Sequence, residues 1–370
     1  MLAVIPTLLI KNTSFSEWLY RALSFLVVSC PCALVISIPL SFFGGIGGAS
    51  KKGILIKGSN YIEAISNTEI AVFDKTGTLT KGEFKVQKIN NIGIEKDSFL
   101  ELTAIAEFYS SHPIANSIKN EYGKKIDKNK IKDIQEISGH GIVAIIDEKE
   151  VLVGNEKLMK MNSIKYDICN EIGTIIYVAI NKKYCGYIVI SDEIKKDSFN
   201  LIKSLKKQGI KKAVMLTGDK KEISKEIAEK IGIKEVYAEL LPDGKVKKVE
   251  ELLNEKSEKG KLIFAGDGIN DSPVLAIADV GFAMGAMGAD SAIEAADIVI
   301  MTDEPSKIEV AIKIAKKTMR IVKENIIFAI LVKILILILT ALGISNMWFA
   351  VFADVGVSII AILNALRMLL

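Results

Sequence analysis

The chain has 370 residues, enough for two or three domains that each have a core. Half of the residues are apolar and a quarter are charged, a mixture that suits a protein divided between lipid and water. The net charge is only +4 and the lysines are not clustered with aromatic residues, so no nucleic-acid partner is predicted. Cys30 and Cys32, separated by one proline, are expected to be too close for a disulfide, and a secreted disulfide scaffold is excluded.

Hydrophobic segments lie at the two ends of the chain. The first ten residues are apolar but lack the features of a signal peptide, and they are interpreted as the back half of a membrane helix. Residues 22–50 carry no charge and are long enough to span a bilayer. Residues 326–342 and 348–366 form a second pair, joined by an uncharged turn at 343–346. Basic residues flank the polar region 51–325 and place it in the cytoplasm by the positive-inside rule.

The polar region alternates short apolar strands with helical patterns, which predicts an α/β fold. Strands are predicted at 69–73, 212–216 and 262–265. Each strand ends at a polar cluster, namely Asp74, Thr217-Gly218-Asp219 and Gly266-Asp267. Ligands bind at the carboxyl ends of parallel strands in such sheets. Residues 87–187 interrupt this alternation with their own helices and strands, and are predicted to form an inserted domain.

The strongest motif is Asp74-Lys75-Thr76-Gly77-Thr78-Leu79-Thr80. An aspartate at a strand end can attack phosphorus and form an acyl phosphate. Lys75 can neutralise the transferring oxygens, which the threonines and backbone N–H groups can position. An isolated Asp-x-Thr-Gly is commonly only a capped turn, whereas this seven-residue run resembles the phosphorylation motif of the P-type ATPases.

The resemblance implies a domain plan for the whole chain. It implies a haloacid-dehalogenase-like Rossmann phosphorylation domain at 51–86 and 188–320, with an inserted α+β nucleotide-binding domain at 87–187. Membrane helices at 1–50 and 321–370 flank these domains. The class is therefore α/β plus transmembrane α.

Three further motifs resemble the family's phosphate and magnesium elements. Gly266-Asp267-Gly268-Ile269-Asn270-Asp271 is similar to its Mg²⁺-holding loop, which implies Asp267 as a ligand and Asp271 as its support. Together with Asp74 and the Thr76 carbonyl, these are oxygen ligands of the kind that Mg²⁺ prefers. Thr217-Gly218-Asp219 and Pro242-Asp243-Gly244-Lys245 resemble the other phosphate-pocket elements, and Lys245 would neutralise phosphoryl charge.

The inserted block resembles the nucleotide site of the heavy-metal branch. Ser111-His112-Pro113-Ile114-Ala115 is similar to the His-Pro element used against adenine, and Glu107 lies five residues earlier. Gly139, Gly141 and Gly154 resemble the glycines that let the backbone approach the nucleotide. His140 has no counterpart and is predicted to lie on the surface. ATP is thus the implied substrate and Mg²⁺ the implied cofactor.

The residue two positions after Asp74 separates two reaction classes. Related soluble phosphatases usually carry a second aspartate there as general acid and base, whereas this chain has Thr76. Without a nearby base the aspartyl phosphate would hydrolyse slowly, which suits a pump. The same observation argues against the alternative of a membrane-tethered phosphohydrolase with no transport role.

Cys30-Pro31-Cys32 lies within the charge-free segment at 22–50. Pro31 removes a backbone donor and loosens the helix, and two thiolates beside an opened helix suit Cu⁺, Zn²⁺ or Cd²⁺. Buried cysteines commonly only pack, which is the expectation for Cys169 and Cys185. Residues 30–37, Cys-Pro-Cys-Ala-Leu-Val-Ile-Ser, resemble the heavy-metal pumps.

Lys333 and Asp354 are charged residues inside the last two hydrophobic segments. Intramembrane charges are costly and usually paired, so Lys333 is expected to pair with Asp354 when the metal has left. Snorkelling of Lys333 to an interface is the alternative. A carboxylate ligand suits a divalent ion better than Cu⁺, and the two residues resemble the zinc/cadmium/lead branch. Zn²⁺ or Cd²⁺ is predicted, Pb²⁺ and Co²⁺ could use the same ligands, and a Cu⁺ exporter stays the alternative.

No Thr-Gly-Glu occurs in the chain. In the family this motif lies in an actuator domain that precedes the Cys-Pro-Cys helix. The sequence is therefore interpreted as the carboxy-terminal portion of a multi-pass pump in a bacterial cell membrane, with its catalytic domains in the cytoplasm and without the amino-terminal actuator and membrane helices. A remnant that binds only nucleotide and metal is a further alternative.

Overall fold

The computed structural model describes residues 15–169, 171, 173–267, 271–285, 290–342, 344 and 346–368. The apolar segment predicted at the first ten residues lies outside this part of the chain. The same holds for Gly268-Ile269-Asn270 of the predicted magnesium loop, and for two residues of the turn at 343–346.

Helices and strands alternate through most of the chain. The helices are α1 (Phe15–Ser29), α2 (Cys32–Ser50), α3 (Ser59–Ser66), α4 (Lys96–Ala106), α5 (Pro113–Tyr122), α6 (Glu156–Met161), α7 (Ser198–Lys207), α8 (Lys221–Ile231), α9 (Pro242–Leu253), α10 (Ser272–Ile277), α11 (Asp290–Ala295), α12 (Ser306–Ala341), α13 (Met347–Val351) and α14 (Val357–Leu366). The strands are β1 (Ile54–Ile56), β2 (Thr68–Asp74), β3 (Thr80–Asn91), β4 (Ile131–Ile137), β5 (Gly141–Ile146), β6 (Lys149–Gly154), β7 (Thr174–Ile180), β8 (Lys183–Ile194), β9 (Lys212–Leu216), β10 (Glu235–Tyr237), β11 (Lys261–Gly266), β12 (Val280–Met284) and β13 (Ile298–Ile300).

Seven strands form one sheet in the order β1-β13-β12-β11-β2-β9-β10. Its β11–β12, β12–β13 and β9–β10 pairs are parallel, and β1 is an antiparallel edge. Strand β2 is buried along nearly its whole length, as expected for a short apolar run covered on both faces. The strands predicted at 69–73, 212–216 and 262–265 are confirmed as β2, β9 and β11.

The chain divides into two compact units. The first contains the described residues up to Val72, Lys203–Lys212 and the residues from Val246 onwards. The second contains Phe73–Ile202 and Ala213–Lys245.

A six-stranded antiparallel sheet in the order β3-β8-β7-β6-β5-β4 dominates the second unit. Helices α4 and α5 belong to the cluster on one face, which contains Phe99, Ile118 and Val153, and this confirms an inserted α+β domain. The sheet extends beyond the predicted segment at 87–187 at both ends. The reason is that β3 and β8 are twelve residues long and carry the chain into and out of the domain.

The charge-free segment at 22–50 forms two helices rather than one continuous span. Helix α1 ends at Ser29 and α2 begins at Cys32, so the break falls at the proline that was predicted to loosen the helix. Helix α2 then continues through a glycine-rich patch because its glycines pack closely. A Cβ on Gly45 would lie 2.5 Å from Thr318 Oγ1.

Two helical segments in the described part of the chain are long and apolar enough to cross a membrane, 32–50 and 348–366. The hydrophobic residues predicted at 326–342 form, as far as Ala341, the second half of α12, a continuous helix of 36 residues. At a rise of 1.5 Å per residue, α12 is about 54 Å long.

Candidate phosphorylation, nucleotide and metal sites

Asp74 is the last residue of β2 and is 5% exposed. Its Oδ1 accepts a hydrogen bond from Lys245 Nζ at 2.6 Å, and the two side chains form a buried ion pair. Lys245 lies in the first turn of α9, which begins at the predicted Pro-Asp-Gly-Lys element. The structure therefore brings together two predicted site residues that are far apart in the sequence.

Lys75 is buried, and its Nζ lies 2.8 Å from Asp219 Oδ2 and 3.2 Å from Asp192 Oδ2. Burial by itself favours the neutral amine. The two carboxylates outweigh this effect and raise the pKa of Lys75 above its ordinary value. Lys75 is therefore a fixed positive charge beside the strand end that carries Asp74.

Asp192, in β8, is a buried carboxylate that the sequence analysis did not identify. Besides Lys75, it accepts hydrogen bonds from Thr80 Oγ1 and, at 3.0 Å, from the backbone N–H of Gly82. It therefore ties the end of the phosphorylation motif to the strand that leaves the inserted domain. The only signal in the sequence is a carboxylate near the end of an apolar strand.

The loop after Asp74 has a fixed shape. Gly77 has φ +72°, a left-handed conformation that favours glycine, and its carbonyl accepts from Lys195 Nζ at 2.7 Å. Thr78 Oγ1 is buried and has no hydrogen-bond partner among the residues described. A buried hydroxyl without a partner is costly, so the loop has an unused hydrogen-bonding group. Thr76, whose carbonyl was predicted to bind Mg²⁺, lies in the same loop.

The Thr217-Gly218-Asp219 element forms the turn after β9. Thr217 is buried, and its Oγ1 accepts from the backbone N–H of Asp219 at 3.1 Å. A Cβ on Gly218 would lie 3.3 Å from the Leu240 carbonyl, so this turn packs closely against the loop before α9.

Two of the residues predicted for the magnesium site, Asp267 and Asp271, follow the end of β11. Asp267 follows the strand and is half-buried, while Asp271 is buried and precedes α10. A Cβ on Gly266 would lie 2.8 Å from Asp271 Oδ2, so a side chain at this position would displace the Asp271 carboxylate. Carboxylates at a strand end are the hard oxygen donors that Mg²⁺ prefers, and this donor set fits the ion.

Glu107 follows α4 and is buried. Desolvation raises its pKa to about 7, although a hydrogen bond from Ser110 and the charge of Lys119 partly oppose the shift. His112, five residues later, caps α5, and its Nδ1 accepts from the Ile114 backbone N–H at 3.2 Å. A neutral carboxylic acid at Glu107 can donate as well as accept a hydrogen bond near neutral pH.

Gly139 lies in the turn between β4 and β5, Gly141 is the first residue of β5, and Gly154 is the last residue of β6. Gly141 pairs with Gly154, and a Cβ on either would overlap the backbone of the other strand. Gly139 has φ +70° with open space above it, and its carbonyl accepts from Asn155 Nδ2 at 2.9 Å. His140 is partly exposed, with its Nδ1 2.9 Å from the Ser138 carbonyl. Packing between strands explains Gly141 and Gly154, and only Gly139 leaves the backbone open to a ligand.

We expect the raised pKa of Glu107 to make the free energy of unfolding depend on pH. The folded chain keeps its proton up to about pH 7, whereas the unfolded chain releases it near pH 4.5. Stability should therefore rise as the pH falls from above 7 towards 4.5. Glu107→Gln should remove this dependence and stabilise the domain at pH 8, by an amount on the order of 3 kcal/mol.

Calorimetric unfolding at pH 6 and pH 8 checks this prediction. Glu101→Gln is the matched control, because Glu101 lies on α4, the helix that Glu107 follows, in a half-exposed ion pair with Lys130. A Glu107→Gln variant whose pH dependence equals that of the parent would contradict it.

Cys30, Cys32 and Asp354 form a cluster in the first unit. One ligand atom from each lies within 4.8 Å of the other two, and Asp354 Oδ1 is buried with no hydrogen-bond partner in the described part of the chain. Asp354 belongs to a π-helical turn, Phe352–Gly356, which the sequence did not predict. Such turns occur frequently at functional sites.

The expectation that Cys30 and Cys32 are too close for a disulfide is wrong. The structure joins them by a disulfide, with their Cα atoms 5.5 Å apart. The break between α1 and α2 at Pro31 allows this separation, which lies within the usual range for disulfides. Cys169 and Cys185 are free, partly buried and buried respectively, and both pack in the inserted domain as predicted.

The predicted ion pair between Lys333 and Asp354 is not formed among the described residues. Lys333 Nζ donates instead to the Val28 carbonyl at 3.3 Å. The last carbonyls of α1 have no donor within their own helix, because the helix ends at Ser29. Lys333 is partly buried against α1 rather than extended into solvent, so the structure does not support the alternative of snorkelling.

Comparison with known proteins gives consistent results. Residues 68–279 match the family of haloacid dehalogenase-like hydrolases. The chain is 55% identical to the cadmium, zinc and cobalt-transporting ATPase of Bacillus subtilis (strain 168), over 100% of this chain and 53% of that protein. It is 50% identical to the zinc-transporting ATPase of Synechocystis, over 99% of this chain and 51% of that protein. The chain thus spans about half the length of the curated relatives it matches.

Two solved structures are also similar. A zinc-transporting PIB-type ATPase in the E2.Pi state matches with a TM-score of 0.87 and 33% identity, over 100% of this chain and 61% of that chain. The catalytic domain of the CPx-ATPase CopB-B matches with a TM-score of 0.57 and 32% identity, over 72% of this chain and 98% of that chain.

Proposed function

Because this chain belongs to the heavy-metal-transporting branch of the P-type ATPases, with a haloacid dehalogenase-like catalytic domain, we propose that it serves ATP-driven export of a divalent soft or borderline metal ion across a bacterial cell membrane. Zn²⁺ and Cd²⁺ are the leading substrates, and Co²⁺ and Pb²⁺ could use the same ligands. The single observation that carries the proposal is the buried pair of Asp74 with Lys245, beside the Lys75 charge.

In the proposed reaction, a carboxylate oxygen of Asp74 attacks the γ-phosphorus of ATP. A bond forms between that oxygen and phosphorus while the bond to the β–γ bridging oxygen breaks, and ADP leaves with that electron pair. Lys245 and Lys75 stabilise the negative charge on the transferring oxygens. Mg²⁺ would supply further charge neutralisation, and the family resemblance implies oxygens of Asp74, Thr76 and Asp267, with Asp271 as support, as its ligands.

Residues of the inserted domain would bind the nucleotide. Glu107 and His112 would contact the adenine, and the open backbone at Gly139 would approach the phosphates or ribose. The turn residues Thr217 and Asp219 would complete the phosphate pocket, with Asp219 holding Lys75 in place.

The transported ion would bind Cys30, Cys32 and Asp354. Two thiolates and one carboxylate offer mixed soft and hard ligands, which suit Zn²⁺ and Cd²⁺ better than Cu⁺. The cysteines must be reduced for this, since only thiolates bind the ion. Relatives named for zinc or cadmium transport support the same class of substrate. Lys333, beside α1 at the level of Val28, would supply a positive charge near the emptied site.

Labelling with γ-labelled ATP tests the proposal. The chain, with Mg²⁺ present, should incorporate acid-stable and hydroxylamine-sensitive phosphate, as an acyl phosphate does. Because Thr76 stands where soluble phosphatases carry their second aspartate, the label should turn over slowly. Rapid, metal-independent hydrolysis of small phosphate esters with no trapped label would favour the phosphohydrolase instead.

A further inference from the structure

A hydrogen-bonded pair of asparagine side chains, one buried and one partly buried, joins α12 to α14. Asn325 is only 2% exposed and lies next to the hydrophobic half of α12. Its Nδ2 donates to the Ala361 carbonyl at 3.0 Å, and its Oδ1 accepts from Asn364 Nδ2 at 2.9 Å. Both ends of the amide are therefore used, and the hydrogen bonds specify one alignment of the two helices. Buried amides in an apolar setting are costly unless they are paired in this way.

Charged side chains at the edge of the same contact form further interactions with it. Arg367 Nη1 donates to Asn364 Oδ1 at 2.7 Å and lies 3.6 Å from Glu324 Oε2. Lys317 Nζ donates to the Arg367 carbonyl at 2.8 Å. Lys317 and Glu324 belong to α12, whereas Arg367 is at the end of α14, so the contacts of Arg367 with Glu324 and Lys317 resist sliding of one helix along the other. The hydrogen bond from Arg367 to Asn364 lies within the end of α14 and orients the Asn364 amide.

Helices α12 and α14, which the two asparagines join, also lead along the chain to residues of the candidate metal site. Lys333 lies eight residues beyond Asn325 in α12, about 12 Å along the axis. Asp354 lies ten residues before Asn364 along the chain, about 15 Å away in the π-helical turn that leads into α14. A slip of one residue would move a side chain by about 1.5 Å along the axis and turn it by about 100°. The Asp354 carboxylate would then no longer lie near Cys30 and Cys32, from which it is now within 4.8 Å.

We propose that Asn325 and Asn364 are positioning residues for ion binding: they set the register of α12 against α14 and so hold the Asp354 carboxylate at the Cys30–Cys32 pair. The inference rests on the proposed metal site and adds to it two residues that contact no ion. Groups that orient a metal ligand from outside its coordination sphere typically change metal affinity roughly 10- to 100-fold when removed.

Co²⁺ is the probe for the test, because its thiolate charge-transfer band and its visible d–d bands report different ligands. The reduced wild-type chain in detergent should show both. Asn325→Leu keeps both cysteines, so the thiolate band should remain, while the d–d bands should approach those of Asp354→Asn. Co²⁺ affinity should fall roughly 10- to 100-fold. Asn364→Ala, at a less buried position, removes the same hydrogen bond and should act in the same direction.

Thr340→Val is the matched control. It removes a buried hydroxyl from the same helix whose hydrogen bond, to the Ile336 carbonyl, stays within that helix. Its Co²⁺ spectrum and affinity should equal those of the wild type. The double variant of Asn325 and Asn364 should be no weaker than the more affected single variant, since both act through one contact.

Three results would overturn the inference. The first is a folded Asn364→Ala chain whose Co²⁺ affinity and d–d bands equal those of the wild type, whether or not Asn325→Leu folds. Another is an equal loss in Thr340→Val. The third is a wild-type chain that never shows the thiolate band, which would also remove the metal site itself. In the first two results the thiolate band persists and the proposed function stands.

Discussion

Asp74→Asn is expected to reduce phosphate incorporation from γ-labelled ATP to background. The amide has nearly the volume of the carboxylate, but it is not a nucleophile at phosphorus and cannot form an acyl phosphate. The substitution also removes the charge that pairs with Lys245 at 2.6 Å. Lys245 would keep its positive charge for a phosphate oxygen without this competing carboxylate, so nucleotide binding should be retained or strengthened while the chemical step is lost.

The measurement is acid-quenched labelling followed by hydroxylamine treatment. Asp192→Asn is the matched control, a second buried carboxylate next to Lys75 in the same unit. Its loss loosens Lys75, Thr80 and Gly82 but leaves the nucleophile, so the label should form more slowly and stay sensitive to hydroxylamine. Hydroxylamine-sensitive label on the Asp74→Asn chain would show that another carboxylate accepts the phosphoryl group.

The candidate phosphorylation site could be predicted where its residues are contiguous in the sequence. Asp74 is recognisable because it opens a contiguous run of seven residues that carry this chemistry, and because an apolar strand ends at it. Asp192 could not be predicted in this way. Its partners Lys75 and Thr80 are separated from it by the entire inserted domain. Only the pairing of β3 with β8 brings the ends of that domain together.

In the apolar helices at the two ends of the chain, the sequence predicted individual residues but not the contacts between them. The sequence identified Cys30, Cys32 and Asp354 individually, since thiols and charges stand out among apolar residues. Whether Lys333 pairs with Asp354 depends on which carbonyls lack donors, and that follows from the break after Ser29. The π-helical turn at Asp354 likewise leaves no pattern in an apolar segment whose residues all suit a helix.

The reduced chain is expected to bind one Zn²⁺ or Cd²⁺ ion, and Cys30→Ser, Cys32→Ser and Asp354→Asn should each weaken that binding strongly. A thiolate binds these ions far better than a hydroxyl does, and an amide oxygen is neutral where the carboxylate is charged. The loss should be larger for either cysteine than for Asp354, because two soft ligands become one. Equilibrium dialysis with radioactive zinc or cadmium measures the stoichiometry and the affinity.

Oxidation provides a second form of the same test. A disulfide between Cys30 and Cys32, as the structure contains, leaves neither sulfur as a thiolate, so the oxidised chain should not bind the ion until a reductant is added. Cys169→Ser is the matched control, a free and partly buried cysteine in the inserted domain, and it should bind like the parent in both redox states. Equal zinc binding by the oxidised and reduced chains would place the ion elsewhere. Binding lost on oxidation and retained in Cys169→Ser would assign it to the thiol pair beside Asp354, whose buried oxygen has no other partner in the described part of the chain.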